Sequence, residues 1–292
     1  MFIATVIAAS PRDAAAFYAV AERLQALGCA PGTPRWLDEG WALDIPFANR
    51  LEAARAALKD GPDGLDVAVQ EEATRAKKLL VADMDSTMIE IECIDELADY
   101  AGIKPQIAEI TERAMQGELD FAAALKERVA LLEGLPETTV EQCLRERVTL
   151  MPGATTLIRT MRKQGAECVL VSGGFMHFVG PVAERIGFNK GYANRLEIAD
   201  GKLTGAVEGP IVDSSFKRNM LEEWLVRLDL PREASLAVGD GANDIPMIEA
   251  AGTGYAYHAK PKARAAADVA VNYGDLTALL YAQGIARKQW VD

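Results

Sequence analysis

The stretch KKLLVADMDST, Lys77 to Thr87, decides how this chain is read. Leu79, Leu80, Val81 and Ala82 form an apolar run of the length of one buried strand. Two carboxylates follow two residues apart, Asp83 and Asp85, and then two hydroxyls, Ser86 and Thr87. An apolar strand that ends in like charges admits two explanations. Either the strand stops and an Asp caps the next helix, or something positive or phosphorylated sits there.

Working outward from this stretch, three more apolar runs resemble it: Glu167–Val171, Leu236–Val238 and Val269–Val271. Helical patterns separate them, which predicts a parallel sheet with helices on both faces. Ile89 to Val148 carries no strand signal and reads as several helices. Adjacent parallel strands need one crossover helix, so this segment is expected to be an insertion, about 89–150. Tyr192–Val207 alternates around Asp200-Gly201 and predicts a hairpin.

Upstream, residues 1–76 predict a separate small unit. Phe2–Ala9 reads as a strand and Asp13–Leu27 as a helix ended by Gly28. Pro34–Asp38 and Trp41–Phe47 flank the turn Asp38-Glu39-Gly40; Arg50–Lys59 is a second helix and Leu65–Val69 a last strand. The order β-α-β-β-α-β is that of a ferredoxin-like α+β fold. It resembles the self-pairing regulatory modules called ACT domains, which implies a homodimer through this unit. The expected division is therefore 1–76 and 77–292.

The chain has 292 residues and a net charge of -12, with half of its residues hydrophobic. Such a charge repels nucleic-acid backbones, and no basic stripe offsets it. The cysteines, Cys29, Cys93, Cys143 and Cys168, form no CxxC pair, which predicts a reducing compartment. The opening MFIATVIAASPRD turns polar too soon for a membrane span and has no basic start. A cytoplasmic protein with no membrane and no nucleic-acid partner is expected.

Ligands of open α/β sheets bind at the C-terminal ends of the strands. There the first run ends in Asp83–Thr87, the second in Ser172-Gly173-Gly174, and the third in Gly239-Asp240-Gly241-Ala242-Asn243-Asp244. DxDST, then SGG, then a lone lysine, Lys217, then GDGxND together resemble the haloacid-dehalogenase superfamily of phosphatases. The fold so implied is a Rossmann-like α/β core with a helical cap inserted after the first motif. DxDSTMIExE, the Phe121–Arg128 segment and VSGGF are most similar to its phosphoserine phosphatases.

The resemblance implies a role for each residue. Asp83 is the nucleophile that forms an acyl-phosphate, and Asp85 the acid and base. Mg2+ is held by Asp83, Asp240 and the backbone carbonyl of Asp85, a sparse oxygen set that suits this ion. Ser172, the N–H of Gly173, Lys217 and Asn243 contact the phosphate, with Asp244 a supporting polar group. In the cap, Glu92 takes the ammonium of O-phosphoserine and Arg128 its carboxylate, while Met115 and Phe121 exclude water. Read singly, most of these are ordinary: Lys217, Glu92 and Arg128 as surface charges, Met115 and Phe121 as core, Asp240 as a Gly-Asp-Gly turn. Their order along one chain is what favours the site.

A competing motif, Cys29 to Arg35, has the C-x5-R spacing of cysteine-dependent phosphatases. Pro31 and Pro34 lack the N–H groups such a phosphate loop needs. Two other functions stay open at this level: a phosphatase or phosphotransferase for another small phosphate ester, and an amino-acid-sensing module with a vestigial core.

Overall fold

The structure is a computed structural model that describes residues 1–115 and 118–291, apart from the side chain of Met115. In chain order, β1 (Phe2–Ala8), α1 (Ala14–Ala26), β2 (Arg35–Asp38), β3 (Ala42–Phe47), α2 (Leu51–Leu58) and β4 (Leu65–Glu71) build the first unit. Its antiparallel sheet runs β2-β3-β1-β4. One face packs on the helices through Phe17, Leu24, Leu43, Ile45 and Leu58. The other face contributes Ile7, Ala42 and Ala68 to the main core of the molecule, so the two sheets share apolar packing.

The second sheet has the order β11-β10-β9-β5-β6-β7-β8 among the described residues. At its centre lies β5 (Leu79–Ala82), the apolar run before Asp83, buried at all four positions. β6 (Glu167–Phe175) and β9 (Ser235–Gly239) flank it in parallel register. A strand buried on both faces needs an unbroken apolar run rather than alternation, which is what its sequence shows.

From β5 the chain leaves the sheet for α3 (Cys93–Ala101), α4 (Lys104–Met115), α5 (Phe121–Ala130) and α6 (Glu137–Arg147), and returns through α7 (Ala154–Lys163) to β6. The outgoing and returning chains pair at the root of this insertion: Met151 N–H donates to Met88 O at 2.9 Å, and Glu90 N–H to Thr149 O at 3.0 Å. After β6 come α8 (Met176–Ile186), the hairpin β7 (Lys190–Ala199) and β8 (Lys202–Glu208), and α9 (Ser214–Arg227). Beyond β9 follow α10 (Ile245–Ala250), β10 (Thr253–Tyr257), α11 (Pro261–Ala266), β11 (Val269–Val271) and α12 (Ala278–Ala282).

The expected hairpin forms, β7 pairing with β8 in antiparallel register, and it also joins the sheet: Lys190, Gly191 and Tyr192 of β7 pair in parallel with Val169, Leu170 and Val171 of β6. One element was not expected. β10, unforeseen, lies between β9 and β11. Gly254 and two tyrosines disguise it as a loop. A side chain at Gly254 would collide with Ile248 of α10, so close helix–strand packing requires the glycine. No helix among the described residues is long and apolar enough to cross a membrane.

Candidate active site

The carboxyl ends of β5, β6 and β9 open onto one place, and α9 brings a cation to it. Asp83 directly extends β5, its N–H donating to Val238 O of β9 at 3.0 Å. Lys217 lies one turn into α9, whose N-cap, Asp213, accepts from Phe216 N–H. Its ammonium is 2.6 Å from Asp83 Oδ1 and 2.6 Å from Asp244 Oδ1, and it is 1% exposed. A lone lysine that reads as a surface charge is therefore a buried one. Burial alone would lower its pKa, but Asp244 and Asp83 outweigh that and hold it charged.

Asp83, Asp240 and Asp244 bring carboxylate oxygens within 4.8 Å of one another. Asp244 is committed on both sides, Oδ1 to Lys217 and Oδ2 accepting from Gly241 N–H at 3.0 Å. Gly239 lets it approach: a Cβ there would lie 2.6 Å from the Asp244 Cβ. Asp240 and the second oxygen of Asp83 remain available. Three ionised carboxylates facing one ammonium leave two negative charges, the charge of one divalent cation. An all-oxygen donor set of this kind fits a hard ion.

The acids carry the imprint of that crowding. Burial first, and then Asp244, push the Asp83 carboxyl well up, against the pull of Lys217. Asp240 is raised to about 6 by burial, then by Asp244 and Glu92. Asp85 is raised to about 7 by burial and then by Glu92. Its Oδ1 is enclosed and makes no hydrogen bond. A buried, unpartnered carboxyl oxygen is costly unless something else meets it there.

The phosphate-type loop lies beside these acids. Ser172 is buried and its Oγ accepts from Gly174 N–H at 2.9 Å. A Cβ on Gly174 would approach Asp85 Oδ2 to 2.9 Å, and one on Gly173 would approach Phe121 Cζ to 2.9 Å. Only glycines allow the acid from β5 and the ring from the cap so near the loop. Phe121 opens α5, which Asp120 caps by accepting from Ala123 N–H at 2.7 Å. Arg128, one face further along, donates from Nε to Ala124 O at 3.2 Å. Its pKa is lowered by burial against the opposing pull of Asp95 and Glu92. Glu92 precedes α3 and accepts from Ser86 Oγ at 2.8 Å. Asn243 sits half-buried in the turn after Asp240. The expected contribution of Met115 lies outside the described side chains.

Three supports were not legible in sequence. Asp244 was expected only as a supporting polar group, yet it is fully buried and shares Lys217 with Asp83. Asn194 of β7 donates to Gly173 O at 2.8 Å and accepts from Val212 N–H at 2.8 Å, tying the glycine loop to the approach to α9. An isolated Asn in a hairpin gives no signal of this. Thr87 is buried, its Oγ1 3.4 Å from Asp240 Oδ1. The competing motif carries no such constellation: Cys29 is buried in the core of the first unit, its thiol raised by burial. A cavity of about 550 Å3 between the two sheets, lined by Trp41, Glu90, Tyr257, Tyr281 and Arg287, holds none of the acids above.

Residues 80–249 match the family model described as haloacid dehalogenase-like hydrolase. The chain is 42% identical over 287 residues to phosphoserine phosphatase SerB2 of Mycobacterium tuberculosis, covering 95% of this chain and 70% of that one. It is 44% identical over 246 residues to the phosphoserine phosphatase of Streptomyces coelicolor, covering 84% of this chain and 58% of that one. The unliganded crystal structure of a probable phosphoserine phosphatase from Vibrio cholerae superimposes with a TM-score of 0.78 at 36% identity, over 98% of this chain and 88% of that one. Matching motifs, one site assembled from distant segments, and similarity over nearly the whole length lead to one placement: the chain belongs to the haloacid dehalogenase-like hydrolase family, among its phosphoserine phosphatases.

Proposed function

We propose that this chain hydrolyses O-phosphoserine to serine and phosphate, the step that closes serine biosynthesis, through an aspartyl-phosphate on Asp83. The observation that carries the reading is Lys217 held between Asp83 and Asp244 at 2.6 Å from each, beside Asp240 and the Ser172–Gly174 loop. Lys217 binds Oδ1 of Asp83 and orients the carboxylate that attacks phosphorus. As the P–O ester bond breaks, Asp85 gives its proton to the serine alkoxide; burial and Glu92 keep that proton on it near neutrality. Water then attacks the acyl-phosphate and Asp85 takes a proton back, which restores Asp83 and frees phosphate. Lys217, Ser172 and the Gly173 N–H steady the phosphoryl oxygens, with Asn243 at the rim.

Asp83, Asp240 and the backbone carbonyl of Asp85 would hold the cation. Phosphatases of this family generally use a divalent metal, and we take it to be Mg2+. Bound there, it supplies Lewis-acid polarisation of the phosphoryl group and offsets the clustered carboxylates. Glu92 takes the ammonium, Arg128 the carboxylate, and Phe121 shields the ester from bulk water.

The same proposal assigns residues 77–292 to the phosphatase unit with its cap at about 89–150, and residues 1–76 to an ACT-like unit that pairs two chains. Four free, buried cysteines favour a cytoplasmic setting. The test is phosphate release from a panel of phosphate esters, with Mg2+ and with chelator. Phosphoserine turned over fastest, and only with metal, is the expected result. Preference for an ester without amino and carboxyl groups would refute the substrate, and turnover that survives chelation would refute the metal.

A further inference from the structure

Ser86 follows the acid Asp85 directly, and its backbone is left-handed, with φ +55°. Non-glycine residues seldom adopt that conformation, and a hydroxyl residue there is held by its surroundings. Two bonds hold this one. Its N–H donates to Ile91 O at 3.3 Å, and its Oγ donates to Glu92 Oε1 at 2.8 Å. Glu92 is otherwise an exposed side chain just before α3, and ordering an exposed side chain costs rotamer entropy. The serine thus joins the loop bearing the nucleophile and the acid to the residue that precedes the first cap helix.

We propose that Ser86 is a positioning residue that sets Glu92 for the substrate ammonium; this rests on the phosphoserine reading above. With Oε1 engaged by the hydroxyl, Oε2 faces the ammonium in one rotamer, at the reach fixed by the loop that also places Asp85. Ammonium recognition and the reacting acid are then one rigid unit, and pre-organisation of this kind acts on affinity more than on the chemical step.

The test compares two esters on the full-length, Mg2+-loaded protein. One is O-phosphoserine. The other is 3-phosphonooxypropanoate, which has the same carboxylate and ester but no amine. Ser86→Ala removes the hydroxyl, Ser86→Gly removes it while accepting the left-handed backbone, and Ser86→Asn tolerates that backbone and returns an N–H donor. The expected result is a KM for phosphoserine raised about tenfold more than the KM for the amine-free ester in both Ala and Gly variants, with part of that ratio regained in Ser86→Asn. Each ratio is read within one variant, so partial misfolding cancels. Wild-type protein that treats the two esters alike would sink the Glu92 assignment and this proposal with it. Wild-type discrimination that persists in the Ala and Gly variants would overturn the role of Ser86 alone.

Discussion

Asp83 is a buried acid whose charge is met by Lys217 and crowded by Asp244. Replacing it with Asn removes that charge while Asp244 still holds Lys217. Asp83→Asn is therefore expected to fold with an undiminished melting temperature in metal-free buffer, yet to lose turnover by about a thousandfold or more. Steady-state phosphate release and a thermal melt check both halves, and near-normal turnover would exclude Asp83 as nucleophile. Arg128 has the opposite character, a half-buried cation whose charge is favoured by Asp95 and Glu92 against the cost of burial. Arg128→Ala is expected to raise KM for phosphoserine about tenfold more than KM for phosphoethanolamine, which lacks the carboxylate. Equal losses on the two esters would take Arg128 out of carboxylate recognition.

At the scale of elements, the site depends on how strands end and helices begin. Asp83 follows β5, Ser172 to Gly174 lie within β6, and β9 ends at Gly239, where glycines at 173, 174 and 239 admit close neighbours. Gly239 is the tightest of these, packed on Asp244. Gly239→Ala is expected to push Asp244 off Lys217 and cut kcat at least about tenfold, a loss readable in phosphate release alongside an unchanged circular-dichroism spectrum. Turnover at the wild-type rate would mean that the Asp244–Lys217 contact is dispensable. At α5 the cap residue does the equivalent work: Asp120 accepts from Ala123 N–H just before Phe121. Asp120→Ala should lower stability by about 1 kcal/mol and loosen the helix that carries Phe121 and Arg128.

Across the whole molecule, one carboxylate joins the two sheets. Asp66 of β4 accepts from the N–H groups of Asn272 at 2.7 Å, Tyr273 at 3.3 Å and Gly274 at 2.8 Å, in the turn that follows β11. Asp66→Ala would leave three N–H groups unpaired, that of Gly274 buried, so a loss of about 2–3 kcal/mol is expected in a denaturant melt. A melt within a few tenths of wild type would show the anchor to be unimportant. The site acids set a second global property. Native pKa values of about 7 for Asp85 and about 6 for Asp240 lie above the ordinary carboxyl value. In that case the metal-free native state binds more protons than the unfolded chain, so these groups cost more stability as pH rises from roughly 4 to 7. Mg2+ competes with those protons. The rise in melting temperature on adding Mg2+ should thus be larger at pH 7.5 than at pH 5.5; a rise independent of pH would mean that these carboxyls do not titrate against the metal.

The chain's order of apolar runs, the hairpin at Asp200-Gly201, the β-α-β-β-α-β order before Glu72 and the acids after β5 all follow from local pattern. Burial period, turn chemistry and strand ends are decided within a few residues. What tertiary structure alone decided was the pairing of distant groups. Lys217 became a buried partner of two carboxylates, Asp244 changed from a supporting polar group to half of that clamp, Asn194 came to hold the Gly173 loop, and Gly254 admitted a strand no pattern announced. Sequence registers which side chain stands at the end of which strand. Whether a charge is solvated or enclosed depends on what folds over it, and that is a contact between segments far apart in the chain.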